Sequence, residues 1–297
     1  METGGLCWVL GGDLRQLWLA RLLAREGRRV VCFGLEQGGE PGCGVTAQES
    51  LEGLEQADWV VLPMPTAARE GLLCAPLALH PQPIAPILER LHPGQALFGG
   101  RLDEGGAALA ARRGLRLENC LEGEEWAVAN AVPTAEGTIQ LALEQLPITL
   151  QDCPVLILGY GRIGRALAPR LKALGSRVTV FARREESRTQ AQTLGCAVMG
   201  PGLSLTDLSG FALVVNTIPA PILGQGELAA LAPSCLTLDL ASAPGGVDRE
   251  AARHLGRKVV WALALPGKTA PASAAAILRR AMEQSLSRGH IGKEDAL

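Results

Sequence analysis

The sequence predicts an α/β fold of two doubly wound domains with a cleft between them, and three observations carry that prediction. Val155 to Leu158 is an apolar run that breaks into Gly159, Gly161 and Gly164 at G-x-G-x-x-G spacing, as a buried strand does when it turns into a helix. A second strand-turn-helix start lies near the N-terminus, where Gly11 and Gly27 are 16 residues apart, like Gly159 and Gly175. The chain of 297 residues holds 36 glycines and only 3% aromatics, so its core must come from Leu, Val, Ile and Ala, which suits layered helices and sheets rather than an all-β sandwich. At this length two domains are expected: 1–130, joined by a C-terminal helix at 271–297 that returns to it, and 131–270, a Rossmann-like dinucleotide-binding domain that includes the connecting helix.

Composition narrows the function classes. A net charge of -2 gives no footing for nucleic acid or an anionic membrane surface. Eight cysteines form no C-x-x-C pair and interrupt apolar runs, so they read as small buried hydrophobes in a reducing compartment. Four scattered histidines suggest no metal site. No leader pattern and no membrane-length apolar run is evident, so a soluble cytoplasmic protein is expected.

Leu6 to Leu10 reads as a strand, Gly11-Gly12-Asp13 as its turn, and Leu14, Leu17, Trp18, Leu22 and Leu23 as one face of a helix ending at Gly27. Val30 to Phe33 is the next strand. Asp13 takes the slot of Gly161 and would set a negative charge against a pyrophosphate, while Gln16 replaces the third glycine, so this copy is not a second dinucleotide site. With Arg15 beside it, the turn is either a small-anion site or a plain structural turn. Asp58 to Pro63 is a strand leaving into Met64-Pro65-Thr66. Prolines between 71 and 86 predict an irregular loop. Gln95 to Gly100 is a strand, 103–113 a helix, and Leu115 to Leu117 a short strand. The connecting helix is expected to start after Pro133, with Thr134 as N-cap, Glu136 at the positive end, and Ile139, Leu143 and Leu146 inward.

In the second unit, Gly159 allows the tight turn, Gly161 lets backbone approach the pyrophosphate, and Gly164 lets the helix pack on the strand. Tyr160, Arg162 and Ile163 complete the phosphate-facing turn. Leu167, Leu171 and Leu174 carry the helix face, and Pro169 should kink it. The strand Arg177 to Phe181 leads into Ala182-Arg183-Arg184, where an NAD-selective fold usually carries an acid; two arginines there suit a 2′-phosphate and favour NADP over NAD, or are simply solvated. Strands ending at Asn216-Thr217-Ile218-Pro219 and at Asp239-Leu240-Ala241-Ser242 place two turns that line a cofactor cleft or merely cross over. Val259 to Leu265 closes the sheet, followed by Pro266-Gly267-Lys268. Pro271 suits the first position of a last helix with Ile277, Leu278, Ala281 and Met282 inward, and the tail beyond Ser287 is expected to fray.

Taken together, Gly11-Gly12-Asp13 with Arg15, the segment Pro133 to Gly137, Gly159 to Gly164, Asn216 to Pro219, Asp239 to Ser242, Pro244-Gly245-Gly246 and Leu265 to Lys268 closely resemble the family of dipicolinate synthase A subunits, almost end to end. The resemblance implies a sporulation protein of the mother cell that makes dipicolinate from the ring-closed lysine-pathway intermediate, and whose partner is the second, flavoprotein-like subunit of the same dipicolinate synthase. Departures from the pattern are Pro169 and the proline- and cysteine-rich stretch at 71–86. Aromatising a dihydropyridine dicarboxylate removes a hydride and a proton, so the site needs a nicotinamide acceptor, anchors for two carboxylates and a proton acceptor. Glu136 and Asp239 are the candidate acceptors, with Lys268 beside the chemistry. The small dicarboxylate would lie against Gly11, Gly12, Asp13 and Arg15 on one wall and Thr134 and Lys268 on the other. A homo-oligomer is expected. Two other readings stay open: an amino-acid or 2-hydroxy-acid dehydrogenase of the same plan, although no His-Glu-Arg set is evident, and a catalytically silent scaffold for that second subunit.

Overall fold

In the computed structural model, which describes residues 4–69, 71–121, 123–201 and 205–294, the apolar runs become parallel strands buried on both faces. The chain divides into two units, Met1–Ala129 with Pro266–Leu297, and Asn130–Leu265. The boundaries pass through two helices rather than through loops.

The N-terminal unit starts with β1 (Leu6–Leu10), α1 (Leu14–Arg25), β2 (Arg29–Phe33), β3 (Val45–Ala47) and β4 (Trp59–Val61), then β5 (Ala67–Arg69), β6 (Leu72–Leu73), α2 (Ile84–Arg90), β7 (Ala96–Gly99), α3 (Glu104–Arg112) and β8 (Leu117–Asn119). Six parallel strands take the order β3-β2-β1-β4-β7-β8, that of a doubly wound sheet. The two-residue period of β1 feeds two cores: Cys7 and Val9 join Leu19 and Leu23 on one face, whereas Trp8 and Leu10 join Ile87 and Leu88 on the other. The first face is completed from the far end of the chain.

Residues at the boundary form α4 (Glu124–Gln145). The C-terminal unit continues with β9 (Pro154–Leu158), α5 (Arg162–Ala173), β10 (Arg177–Phe181), α6 (Glu185–Thr193), β11 (Ala197–Met199), β12 (Leu213–Asn216), α7 (Gln225–Ala230), β13 (Leu236–Asp239), α8 (Arg249–His254) and β14 (Lys258–Trp261). Its sheet has the same order, β11-β10-β9-β12-β13-β14, again all parallel. Val155 and Ile157 face Leu167 and Leu171, while Leu156 and Leu158 face Leu228 and Leu231. The short helix α9 (Leu265–Thr269) leads to α10 (Pro271–Glu294), whose Ala275, Leu278, Ala281 and Met282 lie in the N-terminal core. Arg279, buried on that face, pairs with Glu26 on α1's side of the unit at 2.7 Å.

Several expectations are corrected. Thr134 is no N-cap, because α4 begins ten residues earlier and carries Pro133 inside it. Proline lacks the N–H that would reach the carbonyl four residues back, and further along the helix the Thr134 and Thr138 hydroxyls donate to the carbonyls of Asn130 and Thr134, each at 2.8 Å. Helix α5 runs unbroken through Pro169. The stretch 71–86 is not irregular throughout: it holds β6, paired antiparallel with β5, and the start of α2. The short strand expected at Leu115 is displaced to Leu117–Asn119, and α10 continues past Ser287 to Glu294, with the last three residues outside the described ones. Lys268 belongs to a helical turn, not a loop.

Candidate functional site

Each glycine of the fingerprint meets a different steric demand. Gly159 has φ +97, and a Cβ there would stand 2.5 Å from Thr217 Oγ1, which itself donates to the Leu158 carbonyl at 2.9 Å. A Cβ on Gly164 would meet the Gly159 carbonyl oxygen at 2.3 Å, so only glycine lets α5 approach the end of β9 this closely. At Gly161 a Cβ would meet nothing within 4 Å. That open face lies at the N-cap of α5, whose first turn carries no acidic side chain. An exposed glycine backbone at the positive end of a helix is the cradle a pyrophosphate requires, and these residues fit a bound dinucleotide.

Tyr160 and Ala182 are buried and Arg162 is exposed. Arg183 and Arg184 are exposed where β10 gives way to α6. The sequence reading missed Arg188, whose Nη1 donates to the carbonyls of Ala182 at 2.8 Å and Arg183 at 2.7 Å and so pins that turn. A third arginine within one helical turn of the pair was the available signal.

The ends of β12 and β13 are tied together. Asn216, fully buried, donates from Nδ2 to Asp239 Oδ1 at 2.8 Å and to the Ile218 carbonyl at 3.1 Å, and accepts at Oδ1 from the Ile218 N–H at 3.0 Å. Asp239 Oδ1 also accepts from the Ala241 N–H at 3.2 Å, and its Oδ2 from the Gly246 N–H at 3.0 Å. Both oxygens of the Asp239 carboxylate are engaged, which ties the end of β12 to the turns at Ala241 and Gly246. Glu136 lies on the outer face of α4, paired with Arg170 at 3.4 Å. A half-exposed pair of this kind contributes little stability.

In the N-terminal unit, Asp13 caps α1 with Gln16 as its capping-box partner. Its carboxylate takes the Arg15 guanidinium in two parallel bonds, Nε to Oδ1 and Nη2 to Oδ2, each 2.9 Å, and Nη2 also donates to the Met64 carbonyl at 2.9 Å. Arg15 is therefore fixed rather than free to sweep. Of the two readings left for the turn at Gly11 and Gly12, the backbone bonds favour a structural turn: the Gly11 N–H donates to the Phe33 carbonyl at 2.7 Å and the Gly12 N–H to the Cys74 carbonyl at 2.8 Å. Gly267 packs so near Asp13 that a Cβ would meet Oδ2 at 2.3 Å, which brings exposed Lys268 to the same end of this unit as Arg15. Thr134 is buried, and its hydroxyl donates to the Asn130 carbonyl of its own helix. The Gly267 contact was invisible in sequence. Six cysteines are buried, Cys74 is partly exposed and Cys43 exposed, all as free thiols. No helix of the described residues is long and apolar enough to cross a membrane.

Residues 7–121 match the family described as the N-terminal domain of the dipicolinate synthase A subunit, and residues 110–219 the NAD binding domain of D-isomer specific 2-hydroxyacid dehydrogenases. The dipicolinate synthase A subunit of Bacillus subtilis (strain 168) is 30% identical over 97% of each chain. The crystal structure of the same subunit from Bacillus halodurans superposes with a TM-score of 0.84 at 27% identity, covering 96% of this chain and 98% of that one. The A chain from Bacillus subtilis gives 0.78 at 30% identity and 99% coverage of both. A dinucleotide turn left open at Gly161, on a fold shared over nearly its whole length at this identity, is inherited rather than convergent: the chain belongs to the family of dipicolinate synthase A subunits.

Proposed function

We propose that the chain oxidises dihydrodipicolinate, formed from the lysine-pathway intermediate 4-hydroxy-tetrahydrodipicolinate, to dipicolinate with NADP, in the mother cell of a sporulating bacterium and together with the flavoprotein-like second subunit of dipicolinate synthase. The observation that carries the reading is the open backbone at Gly161 above the N-terminus of α5, in a chain of this family. When bound, the nicotinamide accepts the hydride that the substrate ring gives up. The protein's part is orientation. The Asn216–Asp239 tether holds the two turns beside the cofactor in one conformation, so little rearrangement is needed at the moment of reaction. Arg15, held by Asp13 and the Met64 carbonyl, presents a fixed cation to one substrate carboxylate, and Lys268 serves the other. Arg183 and Arg184, on the turn pinned by Arg188, support the choice of NADP over NAD.

The purified chain, given NADP and the product of dihydrodipicolinate synthase, is expected to yield reduced cofactor and dipicolinate in equal amounts, with the second subunit changing the rate. Dipicolinate formed without cofactor reduction would overturn the reading, as would reduction driven only by amino or 2-hydroxy acids.

A further inference from the structure

A doubly wound unit carries a dinucleotide at two places: the turn after its first strand takes the pyrophosphate, and an acid after its second strand takes the ribose. In the N-terminal unit the chain itself fills both. At the turn, the Gly12 N–H donates to the Cys74 carbonyl at 2.8 Å. Gly11 lies so tightly beneath the same segment that a Cβ would stand 2.7 Å from Leu73 Cδ2 and 3.0 Å from Ala75 Cβ. After β2, Glu36 stands where the ribose acid would stand. Its Oε2 accepts from the Leu79 N–H at 3.1 Å and its Oε1 from the Gly34 N–H at 3.1 Å. Between these ends the Gln37 N–H donates to the Leu77 carbonyl at 2.8 Å and its side-chain amide to the Ala78 carbonyl at 3.3 Å. A carbonyl at the glycine turn and an N–H at the acid reproduce the polar partners a phosphate and a ribose hydroxyl would supply.

The strap also reaches the Arg15 end of the unit. The Cys74 N–H donates to the Thr66 carbonyl at 2.8 Å, Thr66 Oγ1 donates to the Pro63 carbonyl at 2.9 Å, and the Met64 carbonyl in the same loop accepts from Arg15. We infer that residues 72–79 are an intramolecular occupant of the nucleotide groove, and that Glu36 is a positioning residue which, through this strap, sets the wall formed by Cys74 and Arg15. The chain then takes one dinucleotide, not two. The second half of the inference rests on the reading of Arg15 as a substrate anchor.

The test is thiol reactivity. In a Cys43→Ser background Cys74 is the sole thiol with appreciable exposure, and its alkylation by iodoacetamide can be followed by peptide mass spectrometry. Loss of the charged hydrogen bond in Glu36→Ala should speed alkylation about tenfold or more, by raising the population of the lifted strap. Dinucleotide binding, followed by fluorescence titration, should stay at one site per chain with unchanged Kd, while KM for the substrate rises and kcat holds. Should the alanine variant fail to fold, Glu36→Gln keeps the shape and weakens the same contacts. Unchanged Cys74 reactivity in a folded variant, or two dinucleotides per wild-type chain, would overturn the strap. Faster alkylation with an unmoved KM would leave the strap standing and remove Arg15 from the substrate wall.

Discussion

At the scale of single residues, the proposed preference for NADP rests on Arg183 and Arg184, exposed side chains on a turn whose carbonyls Arg188 holds. A charge-assisted contact to a phosphate contributes about 1.5–3 kcal/mol, or roughly ten- to hundredfold in affinity. The double variant Arg183→Ala, Arg184→Ala should therefore lose about that factor for NADP and keep its affinity for NAD, as read by titrating both cofactors. Equal NADP affinity in the two proteins would end the case for a 2′-phosphate site. Lys268 is judged in the same way. Its neighbour Gly267 is buried against Asp13 while Lys268 itself is exposed, so the substitution removes a charge without opening the core. Lys268→Met should raise KM by about tenfold or more, with NADP binding and melting temperature nearly unchanged. Turnover like that of the wild type would move the dicarboxylate elsewhere.

At the scale of an element, β9, its turn and α5 make two opposite predictions from one motif. Gly164→Ala forces a methyl onto the Gly159 carbonyl, and overpacking of that kind costs about 1–3 kcal/mol, visible as a lowered melting temperature. Gly161→Ala meets only open space, so the fold should be unaffected while dinucleotide affinity falls, because the methyl stands where the pyrophosphate approaches. Wild-type affinity in Gly161→Ala would mean the cofactor does not pass there. This motif was legible in sequence because its cause is local: three glycines in fixed phase after an apolar run. Helix α4 was misread for the same reason, since Pro133-Thr134 imitates a helix start, whereas the helix begins at Glu124 and carries the proline inside. Helix α6 escaped notice because it buries little beyond Ser187 and Ala191, which leaves no apolar stripe to read. The Asp13–Gly267 approach joins opposite ends of the chain, and the tether between Asn216 and Asp239 depends on strand register; neither leaves a periodic trace.

At the scale of the molecule, burial raises thiols in both units, so stability is expected to fall at alkaline pH. Burial pushes Cys7, Cys32 and Cys120 up to about 12 in the N-terminal unit, against Cys235 alone to about 12 in the C-terminal unit. Such a thiol keeps its proton in the folded state after the unfolded chain has begun to lose its own. Stability is accordingly intact below the usual thiol pKa and falls as pH climbs from there toward 12. Each group contributes a slope of up to about 1.4 kcal/mol per pH unit, so Cys7, Cys32 and Cys120 together should cost the N-terminal unit up to about 4 kcal/mol per unit; Cys74 there, and Cys153 and Cys196 in the C-terminal unit, are raised by burial too and act in the same sense. Four of the five tryptophans, Trp8, Trp18, Trp59 and Trp126, belong to the N-terminal unit, which makes intrinsic fluorescence its reporter. Thermal melts followed by that signal should fall steeply between about pH 9 and pH 11. Replacing Cys32 and Cys120 by alanine should lower the melting temperature at neutral pH, through the small cavities left, yet flatten its decline with pH. Tyrosine and lysine titration acts equally on both proteins and cancels in the comparison. A double variant whose melting temperature declined with pH as steeply as the wild type would show that the buried thiols do not set the alkaline limit.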